Sequence, residues 1–373
     1  MICKHSYISN KFLVFLLIAL LFCFSGCNNK EEISMPTQNI PTPQITAKPN
    51  DGVIVPPTPT VNVDEIVVFN DLNLEKVVRS IIGKNIGNIT LSDVEGITTL
   101  SARVRGISNI EALKHFKNLE VLDLYGNRVS DITPLVGLTK LKKLNLGKNY
   151  NVLTSNTSAT GGLDISLLKG FVNLEELNLS DNMIFDISSL SSLTNLTTLY
   201  LNNNRIEDIT PLSNCVSLRY VDLSKNYGLN ADGTERGISD VSPLYNISSI
   251  EFLICTDNLI SDVKGIEKMK SLQSVDFSHN YIQSLESFAK LPNLKSLTVK
   301  ANLITSIAPL KNNETITFLD VSSNIIKNFK YIETMKALEK LIWENNNIED
   351  YTPIEKFELE KNGVVLFPEV ENE

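Results

Sequence analysis

The side chains that could carry out catalysis are few and far apart. Beyond the first 27 residues the chain has two histidines, His115 and His279. A serine or cysteine nucleophile needs a base within hydrogen-bond reach, and two histidines so distant along the chain offer no such pair in one neighbourhood. The sequence also lacks a glycine-rich phosphate loop, a C-x-x-C pair and an H-E-x-x-H motif. We therefore predict a protein that is not an enzyme and holds no cofactor.

Oxygen-bearing side chains are more numerous. One segment, Asn230-Ala231-Asp232-Gly233-Thr234, alternates oxygens as a calcium loop does, but it lacks that loop's later glycine and acidic residue, so we predict no metal site. An aspartate flanked by apolar residues also recurs along the chain. We interpret it as a solvated strand residue rather than an acid/base group, because it belongs to a repeated pattern at Asp123, Asp222, Asp276 and Asp320.

The net charge bears on the kind of partner, and the cysteine positions bear on disulfide bonding. The 373 residues carry a formal net charge of −9, whereas binding to nucleic acid requires a clustered basic surface. Cys215 and Cys255 occupy inward positions of the repeat described below, where free thiols pack as small apolar side chains. A bridge would need their Cα atoms within about 7 Å from different sides of different coils. We expect no nucleic-acid partner and no disulfide.

Most of the chain is one repeated unit, which residues 119–141 illustrate. Its pattern is L-x-x-L-x-L-x-x-N-x-x-x-x-D-I-x-P-L-x-x-L. A fixed period of this size indicates a solenoid of stacked coils. The motif asparagine recurs every 22 residues, except for two steps of 33 and 32, at Asn127, Asn149, Asn182, Asn204, Asn226, Asn258, Asn280, Asn302, Asn324 and Asn346.

Each unit predicts one coil of that solenoid. Leu122 and Leu124 alternate with a polar residue, as in a short strand with one face inward. Val129, Ile132 and Leu135 recur every three residues, which favours a 3₁₀-like return path. Stacking the next coil at the ~4.8 Å spacing between strands would close a continuous core. The motif asparagine falls where the strand turns, so we predict that its amide bonds backbone groups left unpaired by the turn.

These residues resemble a leucine-rich repeat protein. The D-I-T-P-L run at 131–135, repeated at 208–212, is similar to the internalin-like group, and the resemblance covers roughly residues 62–358. It implies an α/β solenoid: a right-handed superhelix with a parallel concave β-sheet, a convex side of 3₁₀ and irregular turns, and a helical N-terminal cap. It also implies a monomeric chain that binds another protein.

Residues 1–27 predict an export signal. Lys4 and Lys11 precede an apolar run that is short for a membrane span. The ending Phe24-Ser25-Gly26-Cys27 resembles the bacterial lipoprotein signal, which implies a lipid on Cys27 that anchors the folded part to the membrane outside the cytoplasm. Because Phe24 departs from the leucine usual there, an uncleaved N-terminal anchor is the alternative.

The remaining segments are a linker, two caps and two insertions. Residues 28–60 hold half of the 14 prolines and predict an extended linker, which at ~3.1 Å per residue could span up to roughly 100 Å. The N-terminal cap, 61–97, contains a predicted helix with Asp71 as N-cap, Gly83 as stop and one apolar face, formed by Leu74, Val77, Val78, Ile81 and Ile82.

Repeats are predicted over residues 98–358, with insertions near 150–160 and 227–237. A C-terminal strand and tail occupy 359–373, where G-V-V-L-F at 363–367 predicts a closing strand. Before it, one more return path is predicted from the spacing of Ile348, Tyr351, Ile354 and Phe357.

The strand residues that point away from the core are the remaining candidates for function. Most are small or polar, but in three consecutive coils they are Tyr200, Tyr220, Phe252 and Ile254. Contiguous exposed aromatic surface marks interfaces, although aromatic residues are also good strand formers and would then need no partner. We predict that these four residues bind a protein. The insertion 227–237 leaves the coil between Tyr220 and Phe252, which favours a role for it.

The sequence therefore predicts a bacterial surface lipoprotein that binds another protein without turnover. Two alternatives stay open. A cell-surface hydrolase with an unrecognised site would show turnover that a point mutation abolishes. A passive spacer or surface-layer component would keep every phenotype when the aromatic cluster is replaced by serine.

Overall fold

The alternating apolar residues of each unit fold into a three-residue strand whose middle side chain points inward. The computed structural model describes residues 64–149 and 162–362, with side chains as far as residue 358. The predicted signal with Cys27, the linker, the first insertion and the closing strand at 363–367 lie outside the described residues.

Among the described residues, eleven strands form one parallel sheet, and two more form an antiparallel hairpin. Neighbouring strands of the sheet pair residue for residue, as Leu122 does with Leu144, so the predicted parallel sheet is confirmed. The strands of the sheet are β1 (Thr99–Ser101), β2 (Val121–Asp123), β3 (Lys143–Asn145), β4 (Glu176–Asn178), β5 (Thr198–Tyr200), β6 (Tyr220–Asp222), β9 (Phe252–Ile254), β10 (Ser274–Asp276), β11 (Ser296–Thr298), β12 (Phe318–Asp320) and β13 (Lys340–Ile342), and the hairpin consists of β7 (Gly228–Leu229) and β8 (Glu235–Arg236).

The return paths contain short 3₁₀ helices, as their three-residue spacing predicts. Val129, Ile132 and Leu135 are all buried, so the predicted inward residues form the core. The 3₁₀ helices span Glu111–His115, Thr133–Leu135, Ser166–Gly170, Ser188–Ser192, Thr210–Asn214, Ser242–Leu244, Ile266–Lys268, Phe288–Lys290, Ala308–Leu310 and Ile332–Thr334.

The motif asparagines join consecutive coils. The Nδ2 of Asn127 donates to the carbonyl oxygens of Leu124 and Ala102, each at 2.8 Å. Its Oδ1 accepts from the backbone N–H groups of Arg105 and Ile107 at 3.0 and 3.1 Å. All ten asparagines donate to a carbonyl three residues earlier and to one in the preceding coil. The predicted structural role of this residue is therefore confirmed.

Two helices close the N-terminal end of the core. Helix α1 (Leu72–Ile82) begins at Asp71, whose carboxylate accepts from the N–H groups of the first turn, and ends at Gly83 with φ 69°. These are the predicted N-cap and stop. Leu74 and Val78 are buried, but Ile81 of the predicted apolar face is 45% exposed. A short helix α2 (Leu91–Glu95) follows.

The C-terminal end differs from the predicted return path. Residues Thr352–Asn362 form an α-helix, α3, whose backbone groups bond within the helix. Ile354 and Phe357 are buried as predicted. Tyr351 instead is exposed and lies edge-on to Trp343, with ring centroids 5.9 Å apart. No helix within residues 64–149 and 162–362 has the length and apolar run that a membrane span requires.

Candidate protein-binding face

His115 and His279 lie in separate coils, at positions where the backbone changes conformation. His115 ends a 3₁₀ helix. His279 has a left-handed backbone, φ 54°, directly before Asn280, and its N–H donates to the Lys300 carbonyl at 2.8 Å. Its imidazole lies 3.9 Å from the Asp257 carboxylate. In the described part of the chain, no three His, Cys, Asp or Glu side chains are grouped as metal ligands would be.

The second insertion is the β7–β8 hairpin, and its oxygens bond within its turn. Asp232 Oδ1 accepts from the N–H and the hydroxyl of Thr234 at 3.0 and 2.7 Å. Asn230 donates its N–H to the Thr234 carbonyl at 2.8 Å and its Nδ2 to the Thr234 hydroxyl at 3.0 Å. The alternating oxygens of this segment thus form the hairpin turn.

Cys215 and Cys255 are buried and free, at the inward positions predicted for them. The Cys215 thiol donates to the Leu190 carbonyl at 3.3 Å. Burial raises the pKa of this thiol to about 11. Burial also raises the pKa of the Cys255 thiol well above its ordinary value. Neither thiol is therefore suited to act as a nucleophile at neutral pH.

The repeated aspartates are less solvated than predicted, and for Asp320 the prediction is wrong. Asp320 is buried, and it lies between Thr298 and Ile342 of the neighbouring strands. Asp276 Oδ1 accepts from the N–H and hydroxyl of Ser278 at 2.9 and 2.6 Å. These aspartates therefore close the turn that follows the strand.

Three of the four predicted site residues form one aromatic cluster. The ring centroids of Tyr200 and Tyr220 are 5.1 Å apart, and those of Tyr220 and Phe252 are 6.3 Å apart. Ile254 lies in the same row as Tyr200, with Asp222 of strand β6 between them. All four are half-buried, because neighbouring side chains cover part of each.

Burial also affects the hydroxyl groups of the cluster. It raises the pKa of Tyr200 and of Tyr220, and the negative charge of Asp222 adds to both shifts. Both phenols therefore stay neutral at physiological pH and can donate hydrogen bonds. The face thus combines apolar rings, hydroxyl donors and a carboxylate.

The isolated aromatic residues of this face are covered by cations of the chain itself. The Arg103 guanidinium lies 4.5 Å from the centroid of the Tyr125 ring and also bonds the Asp123 carboxylate at 2.9 Å. The Lys340 ammonium lies 5.7 Å from the Phe318 ring centroid. Such contacts satisfy a cation and an aromatic face together.

Comparison with known proteins agrees with this geometry. The family model described as Leucine Rich repeats (2 copies) matches residues 117–158, 172–214, 194–246 and 270–312. The structure of an internalin, InlF, from Listeria monocytogenes is similar, with 27% sequence identity and a TM-score of 0.65 over 77% of this chain and 86% of that one. The chain is an internalin-like leucine-rich repeat protein.

Further solved structures share the fold. Internalin C2 of the same organism has 26% identity and a TM-score of 0.50, over 69% of this chain and 98% of its own. A leucine-rich repeat protein of Leptospira interrogans has 20% identity and a TM-score of 0.55, over 72% of this chain and 71% of its own. No curated protein matches the chain in sequence. An internalin-like fold of this kind is a protein-interaction module.

A second apolar surface of the leucine-rich repeats was missed by sequence reasoning. The residue after the motif asparagine is apolar in consecutive coils from Tyr227 to Ile325. From Leu259 onward its N–H donates to a carbonyl of the preceding coil, as Leu303 does to Ile282 at 2.9 Å, whereas the Tyr227 N–H donates to the Asp257 carbonyl of the next coil at 3.2 Å. We call this the edge row. Its signal was present in the sequence, but the repeat pattern leaves that position undefined. The members about two-fifths exposed are Tyr227, Tyr281, Leu303 and Ile325, and Leu259 is half-buried among them.

Proposed function

We propose that this chain is a lipid-anchored bacterial surface protein that binds another protein through the outer face of its sheet. Tyr200, Tyr220, Phe252 and Ile254 form the centre of the contact. The observation that carries the proposal is the continuous row of three mutually tilted rings on adjacent strands, in a sheet whose other outward residues are mostly polar. Aromatic side chains grouped in this way supply much of the binding energy of protein interfaces.

The rigid sheet favours such a role. Each ring of the cluster projects from a strand that is paired on both sides, so little conformational entropy is lost when a partner packs on it. The half-buried phenols add hydrogen-bond donors that orient the partner. The leucine-rich repeat chain would act as a monomer and would release its partner unchanged.

Anchoring rests on the residues before the solenoid. In this proposal, lipid on Cys27 holds the chain in the membrane, and the proline-rich linker 28–60 keeps the binding face clear of the envelope. Metabolic labelling with an alkyne fatty acid tests this step. We expect label on the wild type and on Cys23→Ala, and none on Cys27→Ala, whereas labelled Cys27→Ala protein would refute the anchor.

The binding face is tested by crosslinking capture on intact cells and in culture supernatant. The variant Tyr220→Ala/Phe252→Ser should lose the captured protein by about tenfold or more, because central aromatic residues commonly contribute 2 kcal/mol or more. Tyr125→Ala is the matched control, since it removes an aromatic side chain from the same face outside the cluster. Both variants should keep the wild-type circular dichroism spectrum.

Three outcomes would contradict the proposal. Equal capture by the wild type and the double variant would remove the aromatic cluster from binding. Unchanged phenotypes after its replacement by serine would favour a passive spacer. Turnover of peptidoglycan, glycans or peptides that a single substitution abolishes would favour a hydrolase.

A further inference from the structure

Carboxylates alternate with apolar side chains across the proposed binding face. In the register of the sheet, Tyr200 lies beside Asp222, Asp222 beside Ile254, and Ile254 beside Asp276. Neighbouring members of the row are separated by the spacing of adjacent strands, ~4.8 Å. A partner that contacts the predicted site residues therefore also meets two carboxylates. We call these four residues the acidic row.

The fold does not require the charge of these carboxylates. Asp222 Oδ1 accepts hydrogen bonds from the N–H and the hydroxyl of Ser224, two residues later. Asn178 performs the same task two strands away, because its Oδ1 accepts from the N–H and the hydroxyl of Ser180 at 2.9 and 2.7 Å. The turn thus needs an acceptor oxygen, which a neutral amide supplies. The negative charge at Asp222 has no role in this turn.

Neither Asp222 nor Asp276 forms an ion pair with a lysine, arginine or histidine of the described residues. Burial, and to a smaller extent the charge of Asp276, raises the pKa of Asp222, and the hydrogen bonds from Ser224 and the charge of Lys225 offset that rise only in part. An ionised Asp222 therefore costs folding free energy, which an asparagine would avoid.

The chain itself contains an example of what fits such a site. At the same strand position in β2, Asp123 pairs with Arg103 at 2.9 Å, and the guanidinium lies 4.5 Å from the Tyr125 ring centroid. One arginine there forms an ion pair with a carboxylate and a cation–π contact with an aromatic ring. Asp222 likewise has an aromatic neighbour, Tyr200 on the adjacent strand, but it forms no ion pair with an arginine of the described residues.

We propose that the acidic row binds a basic segment of the protein partner, with an arginine or lysine of that segment on Asp222 and against the rings of Tyr200 and Tyr220. A second cation would bind Asp276, and the apolar stems of both side chains would cover Ile254. This inference rests on the proposed function, which places the partner on the same face. It defines the partner by chemistry: a cationic peptide segment with apolar character.

The test uses the full chain, purified in detergent, and two fluorescein-labelled peptides: oligoarginine and its citrulline counterpart, which keeps the shape without the charge. Fluorescence anisotropy at about 0.15 M salt measures affinity, because distant charges are then screened beyond ~8 Å. We expect the arginine peptide to bind and the citrulline peptide to bind at least about tenfold more weakly, as charge pairing requires.

The decisive variant is Asp222→Asn/Asp276→Asn, which keeps the acceptor oxygens as Asn178 does. We expect it to bind the arginine peptide about tenfold more weakly. Asp240→Asn/Asp262→Asn is the matched control, because it changes the net charge equally and also keeps its turn hydrogen bonds, which are made to the backbone at Ser242 and Lys264. The control should change affinity by less than about twofold.

Equal losses in the two double variants, equal binding of the two peptides, or absent binding of the arginine peptide would each overturn the inference. These failures are separable from failure of the proposed function. If the captured partner depends on Tyr220 and Phe252 but not on Asp222 and Asp276, the binding face stands and the basic segment is refuted. If capture ignores the aromatic residues, the proposed function itself falls.

Discussion

The motif asparagine at position 204 allows a quantitative test of what holds the coils together. Its Nδ2 donates to the carbonyl oxygens of Leu179 and Leu201 at 3.0 and 2.9 Å. Its Oδ1 accepts from the backbone N–H groups of Asn182 and Ile184 at 3.1 and 2.9 Å. The substitution Asn204→Ala removes these four hydrogen bonds, and a longer one to the Asn202 carbonyl at 3.4 Å, from a buried site.

The four losses are unequal. The Leu201 carbonyl keeps a hydrogen bond from Asn226 at 3.3 Å, and the Leu179 carbonyl keeps one from the preceding motif asparagine at 3.1 Å. The Ile184 N–H loses its acceptor in a buried position, which costs about 1–3 kcal/mol. Each of the other three losses costs on the order of 1 kcal/mol. Since water can partly replace these bonds, we expect a total of roughly 3–5 kcal/mol.

Urea unfolding followed by circular dichroism measures this loss, and hydrogen exchange at the Ile184 amide locates it. The control is Asn202→Ala in the same coil, whose side chain makes no hydrogen bond among the described residues. This control should cost no more than about 0.5 kcal/mol. A loss below about 1 kcal/mol for Asn204→Ala, or equal losses for both variants, would refute the structural role assigned to the motif asparagine.

Three further outcomes are expected. Because burial raises the pKa of Asp222, its ionisation costs stability at neutral pH, so Asp222→Asn should raise the melting temperature there, and the gain should vanish below pH ~3.9, where the aspartate is neutral in both folded and unfolded chains. Gly162→Ala should cost about 1–3 kcal/mol in urea unfolding, since the added Cβ would collide with the Met183 carbonyl, whereas Gly170→Ala has open space and should cost far less. The Cys255 thiol, fully buried and with a raised pKa, should resist iodoacetamide at pH ~8 until the chain unfolds, as peptide mass spectrometry would detect.

Sequence periodicity predicts the coil well because its inward residues are chemically alike. It does not predict the left-handed backbone of the residue before each motif asparagine, because the residues at that position have no side-chain property in common. They include Gly126, Lys148, His279 and Ala301. A left-handed conformation costs a non-glycine residue roughly 1–2 kcal/mol. In the coils before the last one, the hydrogen bond that this N–H donates to the next coil, such as Ala301 to Ser322 at 2.9 Å, offsets that cost. The cause thus lies in a neighbouring coil, which the local sequence does not reveal.

The candidate site was also predictable only in part, because contacts between neighbouring coils determine the rest of its geometry. Outward positions follow from strand alternation, so Tyr200, Tyr220 and Phe252 could be placed together from the sequence. The distances between their ring centroids and their half-buried state depend on side-chain packing between strands. The edge row escaped prediction because the unit leaves its position undefined, although Tyr281 and Leu303 stand in the same place in their units.

The third position of each strand holds asparagine in some coils and aspartate in others, and the fold alone does not determine which. Asn145 and Asn178 accept a hydrogen bond from the N–H two residues later, as Asp222 and Asp276 do, so both a neutral amide and a carboxylate can close the turn. The turn accepts either asparagine or aspartate, and an ionised aspartate at position 222 costs stability. We therefore attribute the aspartate at this position to a requirement other than folding. Because the carboxylates flank Ile254 beside the aromatic cluster, a cationic partner is the simplest explanation of why aspartate occurs there.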